Sequence, residues 1–149
     1  MLRTTRRVAV AVALASAVAL AGAASASAAS IGGLPSSAPI ISKLYVPVSV
    51  TVSCEPFDPF FMFGSASVTI RQLVSGKNIA HGTGSANELT CDGTPHPQTV
   101  NVFPDSGIAF PGLGGDSPPF AKGDAVVSAT LSTMMGTSYA GPQSIKLTK

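Results

Sequence analysis

From Val48 onward, apolar and polar residues alternate along the chain with a period of two. Val48, Val50, Val52 and Cys54 are separated by Ser49, Thr51 and Ser53. Ala66, Val68 and Ile70 alternate with Ser67, Thr69 and Arg71. Leu89 and Cys91 flank Thr90, and Val100 and Val102 alternate with Thr99 and Asn101. Ala125, Val127, Ala129 and Leu131 interleave with Val126, Ser128 and Thr130, and Ile145 and Leu147 with Ser144, Lys146 and Thr148. Side chains on a strand point to opposite faces in turn, so such a pattern gives each strand one buried and one wet face. Gly, Pro, Asn and Asp punctuate the gaps, where turns need them. No stripe with the helical 3.6-residue period runs through this region. The pattern is the signature of an antiparallel sandwich or barrel; the fold expected, taken with the cysteine placement below, is an all-β, antiparallel Ig-like β-sandwich of seven to eight short strands spanning about Pro39 to Lys149.

The N-terminus follows a different logic. Arg3, Arg6 and Arg7 precede Val8–Ala21, an uncharged run of Val, Ala, Leu and one Ser, and Ala24-Ser25-Ala26-Ser27-Ala28 follows. A basic start, an apolar middle and small residues at the −3 and −1 positions read as a secretory signal peptide over residues 1–28. Cleavage is expected after Ala28, with Ala26 the second choice. The apolar run is short for a membrane anchor, which takes about 20 residues. No membrane span is therefore expected after cleavage. Arg6-Arg7 leaves a twin-arginine route open beside the general one. Ala29–Ser37 is rich in Ser, Gly and Pro, and residues 29–38 are expected to form a flexible N-terminal linker.

Removing 28 of 149 residues leaves 121, enough for one domain with a real core. The formal charge of +2 belongs to the full chain. Three of nine basic residues leave with the leader and all seven acids stay, so the mature chain carries six against seven, a net charge of −1. A near-neutral, charge-poor surface argues against nucleic acid, which demands a basic patch, and against docking on anionic lipid. The expected location is outside the cell, secreted or associated with the envelope.

Cys54 and Cys91 both lie in the mature part. An even count and an oxidising destination favour a disulfide between them, with two buried free thiols as the alternative. Each is in phase with the inward residues around it, so a bridge would cross the core between two sheets, as in immunoglobulin domains. The chain has no Trp to pack on such a bridge. No CxxC occurs, and two cysteines with two scattered histidines do not make a zinc site.

Val50–Cys54, Ser67–Gln72, Gly82–Ser85, Leu89–Thr94 and Pro119–Val127 together resemble a family of small exported actinobacterial Ig-like β-sandwich domains of unknown function. The resemblance implies fold and export, and it brings no catalytic residues. The chain is also similar in outline to the enediyne-binding apoproteins of the neocarzinostatin type. Those are small exported Ig-like domains too, but they carry two disulfides, and this chain has cysteines for one.

Chemistry-bearing candidates are few. Phe57, Phe60, Phe61, Met62 and Phe63 crowd between two strand patterns and hold four of the seven phenylalanines. They read either as a candidate interaction surface, since aromatics and Met dominate interface cores, or as a cap folded over one end of the sandwich. Phe103–Phe120 is a long Pro- and Gly-rich stretch, expected to be a flexible or partly ordered crossover. Its Gly112-Leu113-Gly114-Gly115 lacks the Lys and Ser/Thr of a phosphate loop. Asp105, Asp116 and Asp124 fit no calcium-loop spacing and read as turn acids. Glu55 and Asp58 are not placed as a glycosidase pair. His81 and His96 read as turn or edge residues, and no Gly-x-Ser-x-Gly elbow is present.

The function expected is an exported, non-enzymatic module that binds an extracellular protein or a cell-envelope component, with no cofactor, no metal and no catalytic residue. Two alternatives stay open: a small-molecule carrier with an apolar cleft at the sandwich end, and a cryptic hydrolase. A deep closed pocket would favour the first. A Ser-His-acid cluster within hydrogen-bond reach would favour the second.

Overall fold

In a computed structural model, the structure describes residues 29–56, 64–105 and 117–149. Within them the protein is all-β, with no helix. Eight strands form a mixed sheet that curls into a half-barrel. They are β1 (Ser30–Gly32), β2 (Ser37–Pro39), β3 (Val46–Ser53), β4 (Gly64–Ser75), β5 (Asn78–Ala86), β6 (His96–Pro104), β7 (Gly123–Thr133) and β8 (Gly136–Thr148). Their order across the sheet is β1-β3-β6-β5-β4-β7-β8-β2.

The period-two stripes become the core. In β3, Val46, Val48, Val50 and Val52 are buried while Ser49 and Thr51 face solvent. Ala66, Val68 and Ile70 of β4, Val100 and Val102 of β6, and Ala125, Val127, Ala129 and Leu131 of β7 pack with Ile145 and Leu147 of β8. Each fully buried Val or Leu contributes about 1.5–3 kcal/mol over its exposed state. β-branched residues dominate because they fit the pleated surface. The two end strands of the order come back toward the body of the curl: β1 touches β7 and β8, and β2 touches β3.

Three expectations are corrected. The sheet is not purely antiparallel, because β2 runs parallel to β8, with Ala38 opposite Leu147. The stretch read as a linker carries β1 and the start of β2. Ile31 is buried opposite Val52, and Ala38 is buried too, so the segment is tied down by core burial despite its Ser/Gly/Pro composition. Leu89 and Cys91 do not form a strand; they lie in the connection from β5 to β6.

β5 was not legible as a strand at all. Its inward positions are Ala80, Gly82 and Gly84, too small to give an apolar signal. Packing explains the choice. A Cβ on Gly84 would sit 2.1 Å from the Asn101 carbonyl oxygen, and one on Gly82 2.4 Å from that of Phe103 and 2.6 Å from the Phe120 ring. The β5 backbone thus lies directly against β6. Hydrogen-bonded register between the two is confined to Gly82↔Pro104 and Thr83↔Phe103.

The approach to β7 is clasped by a buried side chain. Gln72 is 3% exposed. Its amide nitrogen donates to the Ala121 carbonyl at 2.6 Å, and its amide oxygen accepts from the Ala121 N–H at 2.9 Å. Both polar groups are satisfied, and Phe120 is held down against Gly82.

Gly84→Ala should therefore destabilise the fold by about 1–3 kcal/mol through overpacking against a backbone oxygen. Ser85→Ala next to it, on the exposed face, should stay within about 0.5 kcal/mol. Chemical denaturation of the two variants checks this; equal stability would refute the close approach.

Candidate functional site

Cys54 and Cys91 stand at disulfide distance, with Cα atoms 4.7 Å apart. Cys54 is buried just beyond β3, and Cys91 is half-buried in the β5–β6 connection. The Gly93 N–H donates to the Cys54 carbonyl at 2.9 Å. The bridge does not run to β4, β7 or β8 across the core, as the inward phase of both residues suggested. It ties the end of β3 to the loop that leads into β6, the strand already paired with β3. Cys91 shares parity with Leu89 but not a strand, and parity has no directional meaning in a loop. Closing 37 residues restricts the unfolded chain, so replacing both cysteines by Ala should cost about 2–5 kcal/mol. Thermal unfolding with and without reductant measures it. Unchanged stability, or two free thiols in the denatured unreduced protein, would disprove the staple.

Asp92, Thr94 and His96 form a polar turn beside this bridge. The Asp92 carboxylate accepts from the Thr94 N–H at 2.8 Å, from the Thr94 hydroxyl at 2.6 Å and from His96 Nε2 at 2.9 Å. The Thr94 hydroxyl and main chain, then His96, favour the ionised form and hold the Asp92 carboxyl at about 2, below the ordinary 3.8. Since the folded value lies below the unfolded one, the turn's contribution is present above about pH 4 and is lost as pH falls through about 2. An NMR titration should place the Asp92 midpoint near 2, and Thr94→Val should move it up toward 3.8. A wild-type midpoint at the ordinary value would contradict the network. His96 is thus a turn-capping residue at the head of β6.

His81, Asp105 and Ser117 converge at the other end of β6. The His81 imidazole pairs through Nδ1 with the Asp105 carboxylate. The Asp105 N–H donates to the His81 carbonyl at 2.9 Å, and the Ser117 N–H to the Asp105 carbonyl at 3.0 Å. The Ser117 hydroxyl accepts from the His81 main-chain N–H at 2.7 Å and lies 3.3 Å from the Pro118 carbonyl. A serine nucleophile would instead bond the imidazole nitrogen that takes its proton. Here the hydroxyl serves the main chain, and the cluster fastens Asp105 and Ser117 to His81 of β5. Sequence reasoning placed His81 at a strand edge but did not foresee its partners, which lie 24 and 36 positions away.

The other sequence candidates fall as follows. Phe57, Phe60, Phe61, Met62 and Phe63 lie outside the described residues, as do Asp58, Asp116 and Gly112–Gly115. Glu55 is exposed after Cys54. Asp124 is exposed on β7 opposite Lys146.

Two surface features were not anticipated. The first is the hairpin tip Met134-Met135 between β7 and β8, with the methionines 62% and 87% exposed. The positive φ of this turn falls on Gly136, so neither Met is strained. Thr133, which starts the turn, pairs with Gly64, the residue that residues 57–63 run into. The second is an open trough of about 410 Å³ on the outer face of β5 and β6, lined by Thr83, Gly84, Ser85, Thr99, Asn101 and Phe103. Phe103 is 51% exposed and packs on Tyr45, with ring centroids 5.5 Å apart. Alternation marked Thr99 and Asn101 as outward-facing, but Thr83 and Ser85 lie on β5, which gave no strand signal.

Comparison of the chain with protein-family models, with curated proteins and with solved structures gave no match.

Proposed function

We propose that this chain is an exported binding module of Ig-like sandwich architecture, acting on a cell-envelope component or an extracellular protein without catalysis. The strand order supports the architecture. β1, β3, β6 and β5 take the places of the four-stranded A-B-E-D sheet, and β4, β7 and β8 those of C-F-G. The N-terminal segment then splits, with β1 on one side and β2 on the other. Export is supported by the leader pattern of residues 1–28 and by the cysteine pair, since disulfides persist in oxidising compartments.

The observation that carries the reading is the pair of adjacent exposed methionines at the β7–β8 tip. Apolar side chains this exposed lose no core burial if replaced, and Met is a favoured residue of adaptable binding surfaces. Gly64, which follows the four phenylalanines in sequence, pairs with Thr133 next to these methionines. The carrier reading draws on the 410 Å³ trough, which is open and polar where a carrier for an apolar molecule would be enclosed. The hydrolase reading draws on the convergence at Ser117, and the direction of that hydroxyl's bond weighs against it.

The test is co-sedimentation of the secreted protein with the insoluble envelope fraction of its own cells. N-terminal sequencing of that material should read from Ala29. The double variant Met134→Ser, Met135→Ser should keep the wild-type melting temperature and bind at least tenfold more weakly, about 1.4 kcal/mol. Envelope binding that survives the double change would remove this surface from the mechanism.

A further inference from the structure

We propose that the trough between β5 and β6 is a binding site for a neutral oligosaccharide. It is a different surface from the methionine tip and does not depend on that tip's role. Paired register between β5 and β6 ends at Thr83↔Phe103, while Gly84 still holds the β5 backbone against Asn101. The outward side chains of both strands line the trough over this close approach. Three hydroxyls (Thr83, Ser85 and Thr99) and the Asn101 amide line it, each able to donate and accept. Phe103 stands at one end with half its surface open, buttressed by Tyr45.

That combination matches the two chemistries of a sugar. A pyranose ring has an apolar C–H face, which suits the electron-rich face of an aromatic ring, and a rim of hydroxyls, which suits paired donors and acceptors. The volume of about 410 Å³ lies within the range of small-molecule sites, about 300–1,000 Å³. Charge decides between ligand classes. Among the described residues no lining side chain is ionisable, so an anion would give up water with no cation there to replace it. The titratable side chains two positions from Thr83 and Phe103, His81 and Asp105, are already paired with each other. A nucleic-acid strand needs basic residues along the groove, and these are missing from the lining. A proline-rich peptide needs a groove walled by several aromatic rings, where this lining supplies one.

The decisive experiment is a calorimetric and NMR titration of the secreted protein. The probes are short oligomers of glucose, mannose, galactose and N-acetylglucosamine, with oligogalacturonate and a polyproline peptide as controls. At least one neutral oligosaccharide should bind and shift the amide signals of Thr83, Ser85, Thr99, Asn101 and Phe103. Asn101→Ala and Phe103→Ala should each weaken binding about tenfold or more. Ser85→Arg, which fills the trough from an exposed position without removing a core contact, should abolish it. Melting temperatures close to wild type show that these variants fold, and the wild-type shift map stands without them. The Met134→Ser, Met135→Ser protein should bind sugar as the wild type does. Silence across the neutral panel, preference for the charged or peptide probe, shifts mapping elsewhere, or binding that survives Ser85→Arg would each overturn the proposal.

Discussion

The backbone of β5 lies against that of β6 at Gly82 and Gly84, and much of the molecule depends on that approach. β5 is registered along most of its length with β4, yet it also reaches β6. It is the corner at which the sheet order turns from β1-β3-β6 to β4-β7-β8-β2. A side chain at either glycine would drive the two strands apart, since the atoms it would meet are backbone carbonyls that have nowhere to go. With the glycines in place, the valines of β3 and β6 can share one interior with those of β4 and β7. The same approach leaves room above for the trough and room beside Gly82 for the Phe120 ring.

Around that corner the remaining constraints act on neighbouring pieces of chain. The cysteine pair anchors the connection from β5 to β6 onto the end of β3. The Gln72 amide fixes the approach to β7 by pairing with both backbone groups of Ala121; left buried without those partners, the amide would cost about 1–3 kcal/mol. The His81–Asp105–Ser117 cluster joins the exit of β6 to β5. All three stabilise segments whose sequences have little apolar content of their own. Hydrophobic burial builds the strands, while polar and covalent ties position the connections between them.

This division also explains what could be read from the residues. Strands with a large inward stripe, such as Val46–Ser53 and Gly123–Thr133, announce themselves, because an apolar side chain at every second position has few other uses. β5 does not, since its inward face is made of absences: its glycines look like turn residues until β6 is seen lying on them. β1 fails for a similar reason, being three residues long with one buried side chain, Ile31. Leu89 and Cys91 mislead in the opposite sense, because two alternating residues are too few to separate a strand from a loop. The parallel pairing of β2 with β8 has no local signature at all. Of the site, only Thr99 and Asn101 of β6 could be assigned to the outer face by alternation. Their grouping into one trough needed the three-dimensional course of β5, and the interaction surface read at Phe57–Phe63 lies outside the described residues.

The surface chemistry follows from the same economy of charge that marks the sequence after residue 28. Residues 29–149 carry six basic and seven acidic side chains, so few ionic groups are available for recognition. Some of those present are spent internally: Asp92 in its turn and Asp105 on His81. The two surfaces singled out above are uncharged. One is apolar, at Met134 and Met135; the other is hydroxyl-rich with a single open ring, at the β5–β6 trough. Neither can steer a ligand over long range, because steering requires net fields. Recognition at such surfaces therefore depends on contact, through desolvation of apolar atoms and matched hydrogen bonds. A contact of that kind is only weakly screened by salt, so its strength should change little with ionic strength.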